Sequence, residues 1–488
     1  MISREEVLTA CQEGADRVWA IIAHLQQQLA EKGRHIQALE EEIRLLKHRL
    51  GQHSQNSHNP PSADRFVKPR SLRRPSTRPA GGQPGHPGHT LRLVPQTDVD
   101  ERMIHPAPHQ CTRCGQALAD QPIANEERRQ VFDLPPLRLQ VTEHRLPAKQ
   151  CPACGQLNRA PSPAGVEQPA QYGPQVLALA VYLHVHQLIP FDRLRQLFAD
   201  LFGQSISTGT LTAMLDHGAE RLQPFQRALH EQLQAEPVPH HDETGIRIDA
   251  ANHWLHVSSN DRLTCFSVDP RRGRLALDAE GILPGYASTV VHDCLAAYFT
   301  YSDCTHALCN AHIQRELRAA GELTGQSWPA ELETLLEEAR QAVESARQAG
   351  HTCLTPQARA AFHARYHAIL AQARVLHPVF FKETPPKRGR DKKTKVQNLL
   401  ERLTKHDLAV LRFLDDFRVP FTNNQAERDL RMAKVKQKIS GGFRTDDGAE
   451  RFYRIRSYTS TAQKHCLTIL DALQRLFRGH AFLPARGP

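Results

Sequence analysis

The sequence predicts a multidomain protein of mixed α+β and α/β class. Three features predict it: a heptad repeat near the N-terminus, a pair of Cys-x-x-Cys-Gly motifs, and a series of strand-like segments followed by a long helical stretch. The 488 residues are too many for one small domain, and chains of this length usually divide into roughly three. Hydrophobic residues make up 40% of the chain, which is enough for a substantial core.

The charge balance favours a polyanionic partner. The chain has 62 Lys and Arg against 52 Asp and Glu, a formal net charge of +10, and a basic excess attracts polyanions such as DNA. No apolar run is long enough for a membrane span. The N-terminus carries early acids and has no secretory signal core. These features predict a cytoplasmic protein.

Residues 15–50 carry a coiled-coil pattern. With Ile22 at position a, ten of the eleven a and d positions are apolar, and Lys32 is the exception. The flanking positions are Gln, Glu, Lys and Arg, so the apolar stripe is narrow, as in a zipper seam. Residues 1–50 are therefore predicted to be an oligomerisation segment that pairs protomers. The alternative is a single amphipathic helix packed on its own domain.

Residues 51–100 are predicted to be a flexible basic linker, because they are rich in Pro, Gly, Ser and Arg and poor in apolar residues. The stretch 65–79 contains no acid and includes the DNA-binding candidates Arg70, Arg73 and Arg74. A basic arm of this kind can lie along phosphates. A plain tether explains the composition about equally well.

Residues 101–165 are predicted to be a zinc-ribbon-like domain. Its two motifs are followed by Gly115 and Gly155, and a glycine there permits the tight turn that aims two thiolates at one ion. Residues 131–147 alternate enough for a pair of strands between the motifs. A redox-active motif would need a thioredoxin-like context that is missing. The predicted structural Zn²⁺ ligands are Cys111, Cys114, Cys151 and Cys154.

Residues 166–235 are predicted to be helical. A Gly break is followed by Ser207, a good first residue for a helix. Helix, turn and capped helix are compatible with a helix-turn-helix that reads DNA. Ordinary helical packing explains the pattern nearly as well.

Residues 236–318 change to strand character. Three short strand-like runs are followed by a helical segment and then by two further strands that lead into a helix. That order is typical of the first part of a ribonuclease-H-like core. In that architecture one carboxylate lies on the first strand and another at the end of the fourth. Asp242 and Asp293 occupy those places.

The second part of this core is predicted at residues 416–480, after a helical insertion at 319–415 and before a tail at 481–488. Asn423 and Asn424 are good N-cap residues for a helix that follows them. Glu427 stands near the start of that helix, where it can face the two aspartates. Four cations come after it and are DNA-binding candidates: Lys434, Lys436, Lys438 and Arg444.

Three carboxylates on rigid elements suit hard divalent cations. Mg²⁺ prefers oxygen ligands, and two ions roughly 4 Å apart can assist an in-line displacement at phosphorus. We therefore expect Asp242, Asp293 and Glu427 to hold two Mg²⁺ (or Mn²⁺) ions and to be catalytic. Rival acids stand nearby, although Glu243 should point to the opposite face of its strand from Asp242. These rivals are Glu243 and Asp249 for Asp242, Asp303 for Asp293, and Asp429 for Glu427.

A second group of possible ligands surrounds the last predicted strand. Cys309 and His312, with Cys304 and His306, could form another metal site. Local packing and hydrogen bonding of a half-buried strand explain them better. His312 and Arg315 are candidates for active-site support.

The chain resembles the bacterial transposases of the insertion sequence 66 family, which belong to the DDE class. The resemblance covers nearly the whole chain, and its most specific block is VPFTNNQAERDLRMAKVKQKISGGFRT at 419–445. The family's acidic triad falls on Asp242, Asp293 and Glu427. Asn423 and Asn424 also match its motif and are further candidates for active-site support. Cys294, after the second acid, occupies a position often held by a small or aromatic residue. The other matching motifs are Asn59-Pro-Pro-Ser62, GGQPGHPGHT (81–90), the paired knuckles, HHDETGI (240–246), HDCLAAYF (292–299) and LCNAHIQREL (308–317).

The resemblance implies a DNA transposase of a bacterial mobile element, acting at the nucleoid on the terminal inverted repeats and on target DNA. It also implies Mg²⁺ dependence, a homo-oligomer (a dimer through the coiled coil) and accessory proteins from the same element. Two other classes stay open. One is a nuclease of the same fold that cleaves without strand transfer, and the other is a non-catalytic DNA-binding protein derived from a transposase.

Overall fold

The computed structural model describes residues 9, 12, 14–52, 56, 90–378 and 393–485. Arg70, Arg73 and Arg74 lie outside the described residues. The contacts divide the chain into two compact units, one formed by residues 70–159 with 198–204 and the other by the remainder. No helix among the described residues is both long enough and apolar enough to cross a membrane.

Helix α1 (Ala15–Leu50) is a single continuous helix of 36 residues. Its apolar a and d side chains are largely exposed: Leu29 is 69% exposed and Ile36 is 56% exposed. The part of the chain that the structure describes therefore leaves most of the heptad stripe unburied.

The unit that contains the two cysteine motifs has little regular structure. Strands β1 (Ala148–Gln150) and β2 (Leu157–Arg159) form an antiparallel pair around the second motif. The strand pair predicted over 131–147 is wrong, because those residues form no strand. The two adjacent prolines within that stretch have no backbone N–H to donate to a ladder. Its alternating apolar residues are exposed, Val131 to 92%, so no core rewards pairing.

The helical region before the sheet comprises α2 (Pro174–Val181), α3 (Phe191–Phe202), α4 (Thr208–Glu220) and α5 (Gln223–Ala235), with a π-helical turn at Tyr182–His186. Helix α4 begins where the sequence predicts: the Ser207 hydroxyl accepts a hydrogen bond of 3.0 Å from the Thr210 N–H. Leu211, Met214 and Leu215 are buried on it. The helix-turn-helix role stays a prediction.

The central sheet has five strands: β3 (His240–Ile248), β4 (Ala251–Ser259), β5 (Thr264–Asp269), β6 (Thr289–His292) and β7 (Thr305–Leu308). Their order is β5-β4-β3-β6-β7. The first three strands pair antiparallel, whereas β6 and β7 join in parallel. The strand positions predicted between residues 236 and 318 are confirmed.

A tight hairpin and a set of side-chain hydrogen bonds stabilise the antiparallel half of the sheet. Asp249 and Ala250 both adopt left-handed backbone conformations, with φ of 44° and 59°, as a tight two-residue hairpin between β3 and β4 requires. At the outer strand β5, the Phe266 N–H donates to Ser457 Oγ and the Thr264 N–H donates to Thr461 Oγ1. These hydroxyls satisfy backbone donors that an edge strand would otherwise expose.

Helices cover the sheet. The first of them are α6 (Arg274–Glu280), after β5, and α7 (Asn310–Thr324), after β7. A set of inserted helices follows: α8 (Trp328–Gln348), α9 (Pro356–Leu376), α10 (Lys395–Lys405) and α11 (Asp407–Val410). The chain then returns through α12 (Asn424–Ser440), α13 (Asp446–Lys464) and α14 (Ile469–Phe477).

Helix α12 lies against the first strand of the sheet. Lys434 Nζ and Gln437 Nε2 both donate hydrogen bonds of 3.0 Å to the Gly245 carbonyl of β3. The two side chains are three residues apart and so share one face of the helix. This packing brings the start of α12, reached only after the inserted helices, back to the sheet.

Candidate active site

Asp242 lies on β3, where side chains alternate between the two faces of the sheet. His241 and Glu243 are buried on one face. His240 shares the other face with Asp242, and its Nδ1 lies 2.8 Å from the side-chain oxygen of Asn423, the residue before α12. Asp242 is therefore on the face of the sheet that α12 covers.

Asp293 directly follows β6, the neighbour of β3. His240 of β3 is in parallel register with Val291 of β6, so Asp242 and Asp293 follow at the same level, each two residues later. Neighbouring strands lie about 4.8 Å apart, and level residues of parallel strands point to the same face. The sheet itself therefore places these two carboxylates side by side.

A strained turn follows Asp293. Its Oδ1 accepts a hydrogen bond of 3.1 Å from the Leu295 N–H. Cys294 between them has a left-handed backbone with φ of 80°, a conformation that costs an L residue about 1 kcal/mol or more.

Glu427 belongs to the first turn of α12 and is half-buried. Its Oε1 lies 3.6 Å from His312 Nδ1, and its Oε2 lies 4.0 Å from Arg315 Nη2. Both partners stand on the first two turns of α7. The two residues predicted to support the site therefore contact the predicted third acid.

The electrostatics show that the three acids share one environment. Burial raises the pKa of Asp242 well above its ordinary range, and the charges of Glu243, Asp293 and Glu427 add to the rise. Burial also raises the pKa of Glu427; Arg315 and Arg431 oppose that rise, and Asp293 reinforces it. The carboxylates therefore repel one another, and a bound cation would relieve the repulsion.

The rival acids are either paired with other residues or exposed, although the charge of Glu243 still acts on Asp242 and that of Asp293 acts on Glu243. Glu243 points away from Asp242, as strand alternation predicts: it accepts from Arg272 Nη2 at 2.7 Å and from the Tyr298 hydroxyl at 2.9 Å. Asp429 accepts from Lys464 Nζ at 2.8 Å. Two further rivals, Asp249 and Asp303, are exposed.

One further group could hold a metal ion. Within the described residues, single ligand atoms of Cys309, His312 and Glu427 all lie within 4.8 Å of one another. Cys309 is buried, burial raises the pKa of its thiol to about 11, and its Sγ accepts a hydrogen bond of 3.1 Å from the Asn423 N–H. The thiol therefore already serves as a hydrogen-bond acceptor at the start of α12. His306, by contrast, bonds locally, with the Tyr301 carbonyl 3.1 Å from its Nε2.

The four predicted cation candidates after Glu427 differ in exposure. Lys436 is buried, with its ammonium 3.8 Å from the ring centroid of Phe443, and burial lowers its pKa to about 8. Lys434 is half-buried on the Gly245 carbonyl. These placements favour packing roles. Lys438 and Arg444 are exposed and stay predicted DNA contacts.

Two features of the site were not predicted from the sequence. Arg431, one turn after Glu427 on α12, is exposed and acts electrostatically on that carboxylate. Its spacing of four residues from Glu427 is a helical signal that could have revealed it. The pairing of Glu243 with Arg272 joins two segments far apart in the chain, and no local pattern indicates it.

The two cysteine knuckles have the same local geometry. In each, the glycine adopts a left-handed backbone, with φ of 72° at Gly115 and 73° at Gly155. Each glycine N–H donates a hydrogen bond of 2.9 Å to the carbonyl of the first cysteine of its own motif. Across the residues that the structure describes, the four thiols are not gathered into one group close enough for a common ion.

The raised pKa of Asp242 predicts that this side chain costs stability. A carboxyl whose pKa is higher in the folded state destabilises that state as the pH rises from about 4, the ordinary aspartate value, to the raised value. The loss persists at higher pH. At pH 7.5 without added divalent ions, the free energy of unfolding of Asp242→Asn should therefore exceed that of wild type by about 0.5–2 kcal/mol. The variant should accordingly melt at a higher temperature.

This difference should disappear near pH 3, below the ordinary aspartate pKa of about 4, because the wild-type carboxyl is then mostly neutral in both the folded and the unfolded state. Asp303→Asn removes an exposed acid and serves as the matched control, with an unchanged melting temperature expected. An Asp242→Asn protein less stable than wild type at pH 7.5 would contradict the prediction.

Comparisons with known proteins match three regions of the chain. Residues 169–451, more than half of the chain, match the family described as Transposase IS66 family. Residues 108–155 match the zinc-finger binding domain of transposase IS66. Residues 13–92 match a family of unknown function (DUF6444).

The matched regions contain the features described above. The larger match includes β3, β6 and α12, and the smaller one includes both cysteine knuckles. No curated protein matches the sequence. The extent of the larger match, with the zinc-finger match before it, shows that the chain belongs to the IS66 family of transposases.

Proposed function

We propose that this transposase catalyses Mg²⁺-dependent cleavage and strand transfer at the ends of a bacterial insertion sequence, by in-line phosphoryl transfer. The observation that carries the proposal is the convergence of three acids. Asp242 lies on β3, and Asp293 follows the neighbouring parallel strand β6 at the same level. The charge of Glu427, on α12, contributes to the raised pKa of Asp242. Three acids from distant segments, repelling one another in a half-buried site, suit the binding of divalent cations.

The order of the strands supports a ribonuclease-H-like core. Three antiparallel strands are followed by two parallel ones, in the order β5-β4-β3-β6-β7. The first acid stands on the first strand of the sheet, and the second follows the fourth strand. The third acid returns on a helix after the inserted segment, in whose described residues four α-helices lie, and the predicted architecture also has such an insertion.

The residues fit the metal that this reaction would use. Asp242, Asp293 and Glu427 would hold the two Mg²⁺ (or Mn²⁺) ions through carboxylate oxygens. Among the described residues, Glu427 Oε1 is buried and has no hydrogen-bond partner, so it is available as a ligand. Mg²⁺ would supply activation of the attacking oxygen and stabilisation of the leaving oxygen.

The cations beside Glu427 would serve the DNA. Arg315 and Arg431 act on this carboxylate from α7 and α12, and guanidinium groups pair well with phosphate oxygens. We infer that they hold the phosphates that flank the reacting bond. Lys438 and Arg444 would contact the backbone further along.

The two rival classes differ in the product that they form. A nuclease would release cut DNA without joining it to a target. A non-catalytic protein would bind DNA and would be indifferent to the loss of Glu427. The shared electrostatics of the triad favour catalysis, and an assay of joining separates the transposase from the nuclease.

The test is a strand-transfer assay with Mg²⁺ and DNA that carries the flanking ends of the element. Wild type should join these ends to target DNA. Glu427→Gln keeps the size of the side chain but removes a charged ligand, so joining should fall more than about 100-fold. Joining that survives in Glu427→Gln would exclude the assigned triad, and cleavage without joining by wild type would favour the nuclease.

DNA binding provides the control for this assay. Glu427→Gln should still bind the element ends, because Arg315 and Arg431 remain. Lys438→Ala and Arg444→Ala should instead weaken binding and reduce its salt dependence by about one counterion each. Normal binding and salt dependence in both variants would remove these residues from the proposed contact surface.

We propose that Cys111, Cys114, Cys151 and Cys154 hold one structural Zn²⁺. Each knuckle already has the turn that aims two thiols in one direction, and hydrogen bonding within each motif lowers the pKa of Cys111 and of Cys151. No residue between 90 and 159 is buried. A core cannot stabilise this unit, so metal coordination would supply much of its folding free energy.

The purified protein should therefore contain about one zinc ion per chain, because a tetrahedral site uses all four thiolates. Cys114→Ser should lower the zinc content measured by mass spectrometry to a small fraction of one. Cys353→Ser, which changes an exposed cysteine outside the knuckles, should keep it. Equal zinc content in the two variants would contradict the assignment.

We propose that α1 pairs two protomers as a coiled coil. A continuous helix of 36 residues presents an exposed apolar seam, which a second copy would bury by knobs-into-holes packing. Two protomers could then hold the two ends of one element together. Other proteins encoded by the element are further candidate partners.

Sedimentation of the full chain tests this pairing. Wild type should sediment as a dimer, whereas Leu29→Lys puts a charge into the seam and should shift the chain to monomer. Gln27→Lys adds the same charge outside the seam and should stay dimeric. A monomeric wild type, or a dimer unaffected by Leu29→Lys, would refute the zipper.

A further inference from the structure

Asn423 occupies the N-cap position of α12 but does not cap the helix. An N-cap Asn normally accepts a hydrogen bond from an N–H of the first turn, which stabilises a helix by about 1 kcal/mol. The sequence predicts that role for it. In the structure the Asn423 residue is fully buried, and no first-turn N–H donates to its side chain.

The side chain of Asn423 bonds to the catalytic strand instead. Its Nδ2 donates a hydrogen bond of 2.7 Å to the His241 carbonyl, the residue before Asp242. Its Oδ1 lies 2.8 Å from His240 Nδ1, which would donate to it. Both polar atoms of the amide therefore form hydrogen bonds to β3, one to the side chain of His240 and one to the backbone carbonyl of His241.

The backbone of Asn423 forms two further links. Its N–H donates to Cys309 Sγ at 3.1 Å, at the start of α7. Its carbonyl accepts from the Glu427 N–H at 3.3 Å, in the first turn of α12. One buried residue thus joins β3, the start of α7 and the turn that carries Glu427.

These links bear directly on the geometry of the triad. Metal ligands must be held within about 0.5 Å of a productive arrangement by supporting bonds. Asp242 and Glu427 are separated by 185 positions in the numbering, so tertiary contacts alone set their separation. Sliding of α12 along β3 would leave a buried amide without hydrogen bonds, which is unfavourable, so these bonds hold the helix in register with the strand.

We propose that Asn423 is a positioning residue that sets the separation of Asp242 and Glu427 and thereby the affinity of the site for divalent cations. The inference rests on the proposed function, since it assumes that these acids bind metal. It also assigns a role to Cys309: the thiol is a hydrogen-bond acceptor that orients the start of α12. Its part is to hold the helix, and the ion binds to the carboxylates.

A second buried asparagine offers a matched control. Asn310, at the start of α7, is also buried, and its Nδ2 donates a hydrogen bond of 3.1 Å to the Val410 carbonyl of the inserted helices. Its loss should cost similar stability, because it also removes a buried amide. Among the residues that the structure describes, its side chain makes no hydrogen bond to β3 or α12, so its loss should leave the triad in place.

The experiment measures Mn²⁺ binding to the full chain without DNA, by the electron paramagnetic resonance signal of the free ion. Asn423→Ala should weaken binding about tenfold, the effect typical of residues that support metal ligands. Asn310→Ala should lower the melting temperature comparably but keep wild-type affinity.

Wild-type affinity in a folded Asn423→Ala protein would overturn the proposal, as would equal weakening in Asn310→Ala. If Asn423→Ala does not fold, His240→Ala removes one partner of the amide from a half-buried position and should weaken Mn²⁺ binding severalfold. Unchanged binding in that variant would then overturn it.

Failure of the positioning role can be distinguished from failure of the proposed function. If wild type binds Mn²⁺ and Glu427→Gln does not, the positioning role can be judged even where no DNA is joined. If neither Glu427→Gln nor Asp242→Asn changes Mn²⁺ binding, the metal site itself is wrong and the positioning role falls with it.

Discussion

The repulsion between three converging carboxylates is the constraint on which the rest of the structure depends. Asp242, Asp293 and Glu427 come from two strands and a helix, and burial together with their mutual charge raises the pKa of Asp242. A chain free to relax would separate them. Here the parallel pairing of β3 with β6 holds the first two acids. The packing of α12 on β3 brings the third acid to them.

The two faces of β3 carry side chains with different surroundings. On one face, Asp242 meets the start of α12. On the other face, Glu243 accepts hydrogen bonds from Arg272 and Tyr298. A charge pair buried on that face is stabilising only when its hydrogen bonds are satisfied. The adjacent acids Asp242 and Glu243 therefore have opposite fates because a strand alternates its side chains.

Helix α1 and residues 90–159 differ from the region around the sheet in how little of them is buried. Between residues 90 and 159 no residue is buried, and the apolar seam of α1 is exposed. Neither segment is stabilised by a core of its own chain. A metal ion in one case and a second copy in the other would supply the missing free energy, which suits modules that act by holding other molecules.

The sequence by itself determined the local elements: the helix over residues 15–50, the five strands, and the glycine turns of both knuckles follow from periodicity and turn chemistry. It also indicated the three acids as candidates, because Asp242 stands on a predicted strand, Asp293 at the end of another and Glu427 near the start of a helix. It did not predict the absence of strands at 131–147. Apolar and polar residues alternate there, but no buried core stabilises strand pairing. Only the tertiary structure decided that Lys436 is buried and that Asn423 bonds β3 instead of capping its helix. Those outcomes depend on contacts between residues far apart in the chain, which local patterns do not record.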